Sequence, residues 1–161
     1  MNLKEVITSR RTIKKFKTES IDRNRILSWL EDASMAPNHK MTEPWEMIFI
    51  GPETRAKLNH KTDFGSAPTV FAVVSKKGST TIEREENMAA TACFIQNFML
   101  EAWEEGVGVF WSSIGQNANN RAILSIPDDF DVIGVLAVGY PEEIPAAKPR
   151  TSISEKIKEL S

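Results

Sequence analysis

The chain has 161 residues, 41% of them hydrophobic and 26% charged, with a formal net charge of −2. That length suits one domain, residues 1–161, with a real core, and the composition is that of an ordinary globular protein. The near-neutral balance argues against a general nucleic-acid binder, which carries a broad basic excess.

Cys93 is the single cysteine, so neither an intrachain disulfide nor a cysteine-built zinc site can form, as suits a reducing compartment. The opening Met1-Asn2-Leu3-Lys4-Glu5 lacks the apolar core of a signal peptide. The longest apolar region, Met88 to Leu100, is short of the ~20 residues that span a bilayer, and it contains Gln96 and Asn97. A soluble cytoplasmic protein is expected, with no membrane partner.

In chain order, Leu3 to Ser9 reads as a short helix with Leu3, Val6 and Ile7 on one face. Residues 10 to 20 are polar and extended. Asp22 is a candidate N-cap for a second helix, whose apolar face is Ile26, Leu27, Leu30 and Ala33 and which Pro37 stops. A loop from Ala36 to Pro44 follows, then a strand from Trp45 to Ile50 and a modest helix from Glu53 to His60. Thr69 to Val74 is a nearly continuous β-favouring run, hence an interior strand.

The longest helix is predicted over Thr81 to Glu104. Its apolar residues, among them Met88, Ala89, Cys93, Phe98 and Trp103, fall on most sides, which predicts burial nearly all round, partly against a second subunit. Gly106 ends it. A third strand over Val107 to Ser112, a short helix over Asn119 to Leu124 and a fourth strand over Val132 to Val138 complete the domain. The tail, 142–161, is proline-rich and extended, with a helical stretch over Ile153 to Leu160. Several connections are too short for βαβ crossovers, so the fold class is α+β, a mixed and mostly antiparallel sheet flanked by helices.

Chemistry concentrates in Ser9-Arg10-Arg11-Thr12-Ile13-Lys14-Lys15-Phe16, with four cations within six residues beside two hydroxyls. Guanidinium forks, a hydroxyl and an ammonium suit a phosphate; basic residues at a helix end also complement its dipole. No nucleophile elbow, Walker loop or Gly-x-Gly-x-x-Gly is present. His39 and His60, the two histidines, form no i, i+4 metal pair. The carboxylates are scattered and single out no acid/base pair. A cofactor therefore has to supply any hard chemistry.

Four stretches carry a family resemblance in order. Arg10-Arg11-Thr12-Ile13-Lys14-Lys15-Phe16 resembles the opening Arg-Arg-Ser-x-Arg-x-Phe of the FMN-dependent nitroreductases. Ala36-Pro37-Asn38-His39, leading to Glu43-Pro44-Trp45, resembles their Ala-Pro-Ser…Gln-Pro-Trp loop, in the form of the short, minimal members. Gly106-Val107-Gly108-Val109-Phe110-Trp111-Ser112-Ser113 is similar to their Gly-Leu-Gly strand. Val138-Gly139-Tyr140-Pro141, with Lys148-Pro149-Arg150, is similar to their closing motifs.

The resemblance implies a homodimer with two FMN sites at the interface, each built from both chains, and the long central helix in that interface. Arg10, Arg11 and Thr12 would hold the phosphate or ribityl end, and Arg150 would close on the phosphate from the tail. Lys14 would lie nearer the ring. Asn38 and His39 would contact the cofactor from the loop, and Trp111, Ser112 and Ser113 from a strand end. Glu43 replaces the usual glutamine, so no flavin contact is carried onto it.

The implied activity is hydride transfer from NADH or NADPH through FMN to a small acceptor, such as a nitroaromatic or quinone, with no protein nucleophile. Two other classes stay open: a flavin-binding carrier or sensor without turnover, and an anion- or nucleotide-binding module without flavin. The chain is short for the family between Pro52 and Ala67 and after Ser113, which predicts a more open site.

Overall fold

The computed structural model describes residues 1–160; Ser161, the end of the expected tail, lies outside them. Among the described residues are four strands: β1 (Trp45–Phe49), β2 (Thr69–Lys76), β3 (Gly108–Ser112) and β4 (Phe130–Gly139). They form one sheet in the order β1-β2-β4-β3, antiparallel in each pairing. Five α-helices surround it: α1 (Leu3–Ser9), α2 (Arg23–Ala33), α3 (Pro52–Lys57), α4 (Thr81–Glu104) and α5 (Ala118–Ile123). The α+β architecture is the one the sequence predicts.

Side chains alternate across a strand, and β2 shows what that does in a central position. Phe71 and Val73 enter a core with Trp29, Phe94 and Phe98 of α2 and α4. Val70, Ala72 and Val74 enter a second core with Val6, Ile13, Phe16 and Phe64. Both faces of β2 are therefore covered, as its unbroken apolar run predicts.

A β-bulge separates the pairs Val73–Gly134 and Val74–Val132, which leaves Ile133 unpaired on β4. The indole N–H of Trp111 donates to the Ile133 carbonyl at 3.0 Å. Gly134 makes room for that ring, since a Cβ there would lie 2.1 Å from Trp111 Nε1.

The helix starts follow local chemistry. Asp22 accepts from the Asn24 N–H at 2.8 Å, and the Thr80 hydroxyl accepts from the Glu83 N–H at 3.1 Å, each relieving an orphan donor. The helix α2 stops at Ala33, before Pro37. The helix α3 stops at Lys57 rather than His60, because Asn59 turns left-handed at φ 47°.

In the tail, helical structure is a single turn over Ile153–Lys156. Within the protomer, α4 is buried along one side. Ala90, Phe94, Ile95 and Phe98 are buried, while Ile82, Met88, Ala89 and Cys93 form an exposed side. No helix of the described residues is long and apolar enough to cross a membrane.

Candidate functional site

The basic segment is held by two apolar anchors. Ile13 is fully buried and Phe16 nearly so, whereas Thr12, Lys14 and Lys15 are exposed. Thr12 bridges Val109 in parallel, which covers the outer edge of β3, and Phe16 bridges Pro141. The Ile13 N–H donates to Val109 O at 3.2 Å, and the Phe16 N–H to Gly65 O at 3.0 Å. Close approach is possible because Gly108 has no side chain: a Cβ there would lie 2.3 Å from Ile13 Cγ1. Burial of positions 13 and 16 thus dictates where the polar side chains between them point.

Those side chains face the tail across a cleft of about 750 Å³, lined by Arg10, Arg11, Thr12, Lys14, Lys148 and Arg150 among others. Among the described residues, Arg10, Arg11, Lys14, Lys148 and Arg150 take part in no ion pair. Burial pushes the Arg10 guanidinium below its ordinary pKa, and the neighbouring charges of Arg11 and Arg150 push it further. Like charges have been gathered at one place, none of them held in an ion pair among the described residues. Arg11 also caps the end of α1: its Nη1 donates to the carbonyls of Thr8, Ser9 and Arg10 at 2.9–3.0 Å. Both readings of this pair, the ligand grip and the helix cap, have a physical basis.

Lys148 is the residue that sequence reasoning left out of the site, although its motif was seen. The signal was its spacing from Arg150, since residues two apart in an extended chain face one side. Glu143 lines the same cleft and is the one carboxylate there.

The remaining candidates lie elsewhere. His39 lines a separate cavity of about 440 Å³ with Lys40, Thr42, Lys76 and Asn87. Asn38 braces its own loop: its amide N–H donates to Ala36 O at 3.2 Å, and its Oδ1 accepts from the Glu43 N–H at 3.0 Å. That brace supports three left-handed residues, Lys40, Met41 and Glu43, with φ of 54°, 53° and 42°, a strained backbone of the kind that clusters at functional sites.

At the end of β3, Ser112 is buried and its Oγ accepts from the Ile114 N–H at 3.3 Å, while Ser113 is exposed. One protomer therefore brings Arg10, Arg11, Thr12, Lys14 and Arg150 together. It does not bring Asn38, His39, Trp111, Ser112 or Ser113 into the same cavity.

A helix-flanked antiparallel sheet, with a predominantly cationic cleft beside the edge of β3, defines the architecture of this α+β protein. The chain belongs to the nitroreductase family, whose model matches residues 7–62 and 54–140. It is 34% identical over 182 aligned residues to a Bacillus subtilis protein named "Putative NAD(P)H nitroreductase YfhC", covering 98% of this chain and 94% of that one. The crystal structure of a nitroreductase-like family protein from Bacillus cereus superposes with a TM-score of 0.90 at 30% identity, over 99% of this chain and 96% of that one. The NADPH:FMN oxidoreductase of Vibrio harveyi, complexed with NAD+, shares the fold, with a TM-score of 0.91 at 18% identity, over 100% of this chain and 78% of that one.

Proposed function

We propose that this protein is an FMN-dependent oxidoreductase of nitroreductase type that works as a homodimer. NADH or NADPH serves as electron donor and a small nitroaromatic or quinone as acceptor. The observation that carries this reading is the cleft between the basic segment and the tail. Its volume of about 750 Å³ is in the range of pockets that enclose a whole cofactor, about 300–1,000 Å³. The relatives' names, which mention NAD(P)H in one case and FMN in another, support the same chemistry.

The residues suit FMN by charge and placement. Arg10, Lys148 and Arg150 neutralise a phosphate of charge near −2, and charge-assisted hydrogen bonds to it are the strong kind. Thr12 adds a hydroxyl donor, and Arg11 holds the end of α1 in place for its neighbour. The chemistry that FMN supplies when bound is hydride acceptance and donation at its N5. Lys14 lies on the ring side, where its ammonium favours negative charge on the reduced ring and raises the reduction potential.

The second wall of the site comes from the partner subunit. Leu3 and Ile7 on α1, Met88 on α4, and Ile144, Ile153 and Ile157 in the tail are exposed apolar residues, a distribution that marks interaction surfaces. Across a two-fold axis, the His39 loop of one chain meets the cationic cleft of the other. That arrangement brings Asn38 and His39 to the cationic residues from which one protomer keeps them apart.

Purified protein should elute as a dimer and show a flavin spectrum that NADH or NADPH bleaches without oxygen. A monomer that takes up no FMN from excess would refute the proposal. Bound flavin that no nicotinamide bleaches would point to a carrier or sensor instead.

A further inference from the structure

His60 lies outside the cleft, yet it is tied to the segment that forms it. Its Nδ1 accepts from the Phe64 N–H at 3.0 Å and from the Thr62 N–H at 3.4 Å. Its ring stacks on Phe64 at 4.1 Å between centroids and meets Phe110 of β3 edge-on at 5.8 Å. The turn so closed is strained: Asn59, Asp63, Phe64 and Ser66 are left-handed, with φ of 47°, 44°, 52° and 62°. Such conformations persist only where the surroundings over-determine them. The end of the turn presses on the basic segment. Gly65 O receives the Phe16 N–H at 3.0 Å, and a Cβ on Gly65 would lie 2.1 Å from Lys14 O.

We propose that His60 is a positioning residue: its unprotonated Nδ1 holds the 60–66 turn in the shape that clamps residues 14–16, so protonation of His60 loosens the grip on the cofactor phosphate. An imidazolium has two donors and no acceptor; protonation therefore turns Nδ1 from a partner of the Phe64 N–H into a competitor of it. The charges that face the ring are Asp63 on the turn, which favours the protonated form, and Arg55 of α3, which opposes it. Phe110 contributes no charge from β3.

Burial is the largest influence, and His60 sits below its ordinary value of 6.5. With the folded pKa lowered, the stabilisation is complete above about 6.5 and is lost as pH falls through the lowered value.

This inference rests on the FMN reading, and the experiment separates the two. FMN affinity is measured from pH 7.5 down to pH 5.5 for the parent protein and for His60→Asn, whose Oδ1 can accept in place of Nδ1 without titrating. Every other titrating group is common to the two proteins, so its contribution cancels in the comparison. The parent should lose about fivefold more affinity than His60→Asn over that range, the low end for coupled sites. His60→Leu should bind FMN weakly already at pH 7.5 while keeping a folded circular-dichroism spectrum.

By reciprocity, FMN should lower the His60 pKa in the unaltered protein, read from imidazole proton shifts with His39 as the single other histidine. Parallel pH profiles for parent and His60→Asn, full affinity in His60→Leu, or a His60 pKa that ignores FMN would each overturn the clamp and leave the flavin reading standing. Failure to bind FMN at any pH would overturn both.

Discussion

Gly108→Ala tests whether the packing beneath Ile13 sets the geometry of the cleft. The added Cβ would lie 2.3 Å from Ile13 Cγ1 and 2.8 Å from Ile13 Cβ, where carbon atoms ordinarily keep about 3.5–4.0 Å. Relief requires a displacement of more than about 1 Å, and Ile13, fully buried, cannot swing into solvent. The Ile13 N–H bond to Val109 O, at 3.2 Å, does not survive such a shift. Overpacking costs about 1–3 kcal/mol and a lost hydrogen bond about 1 kcal/mol, so destabilisation of about 2–4 kcal/mol is expected.

At about 2–4 °C per kcal/mol for a chain of this size, the melting temperature should fall by roughly 4–16 °C. Displaced Thr12 should also lose a hydrogen bond to a charged group, worth about 1.5–3 kcal/mol, which weakens FMN binding at least about tenfold. Thermal melts by circular dichroism and an FMN titration well below both transitions are the assays. A variant that melts with the parent and binds FMN equally would show that the Gly108–Ile13 contact does not position the site.

Arg10→Ala combined with Arg11→Ala should give folded, colourless protein, with the melting temperature a few degrees lower from the lost cap on α1; yellow protein at full occupancy would defeat the phosphate assignment. Trp111→Phe should cost about 1 kcal/mol by leaving the Ile133 carbonyl without its indole donor, while the FMN affinity stays unchanged; a loss of affinity would place Trp111 against the cofactor. Glu101→Gln addresses a carboxyl held above its ordinary pKa by burial first, then by Asp32 and Glu104. Since the folded state binds that proton more readily, the native glutamate opposes folding at neutral pH, and the opposition fades as pH falls through the raised value. Denaturant melts should show a gain of about 0.5 kcal/mol at pH 7, on the scale of surface charge effects, and none below pH 4.

Regularity made much of this fold legible in the sequence. The unbroken β-favouring run of β2 identified a central strand, and Asp22 was a local signal for the start of α2 that the structure bears out. Elements that depend on distant partners were not legible. Ile13 and Phe16 sit in a stretch that reads as polar and extended, and their burial follows from Gly108, Gly139 and Gly65, each far away in sequence. Asp63, Gly65 and Ser66 are ordinary turn residues, but nothing local foretells a left-handed Phe64, which is fully buried among residues distant in sequence. Asn38 and Trp111 look like free hydrogen-bonding groups in the sequence, yet one braces its own loop and the other satisfies a bulge on β4.

Arginines elsewhere in the molecule each have a partner: a carboxylate, a carbonyl or, for Arg23, the ring of Phe49. Arg84 makes a two-pronged contact with Asp131 at 2.7 Å for each bond. Arg55 bonds to Asp63 at 2.7 Å, and Arg25 pairs with Glu105. These cations have carboxylates because a planar fork is best satisfied by two oxygens. Arg10 and Arg150 face the same requirement, yet among the described residues neither is in an ion pair, and the cations of their cleft outnumber its one carboxylate, Glu143. Such an arrangement opposes folding when the cleft is empty and is relieved by an anion with several oxygens. A phosphate ester supplies those oxygens together with an organic body for the rest of the cavity, and mass action then couples cofactor binding to the stability of the fold.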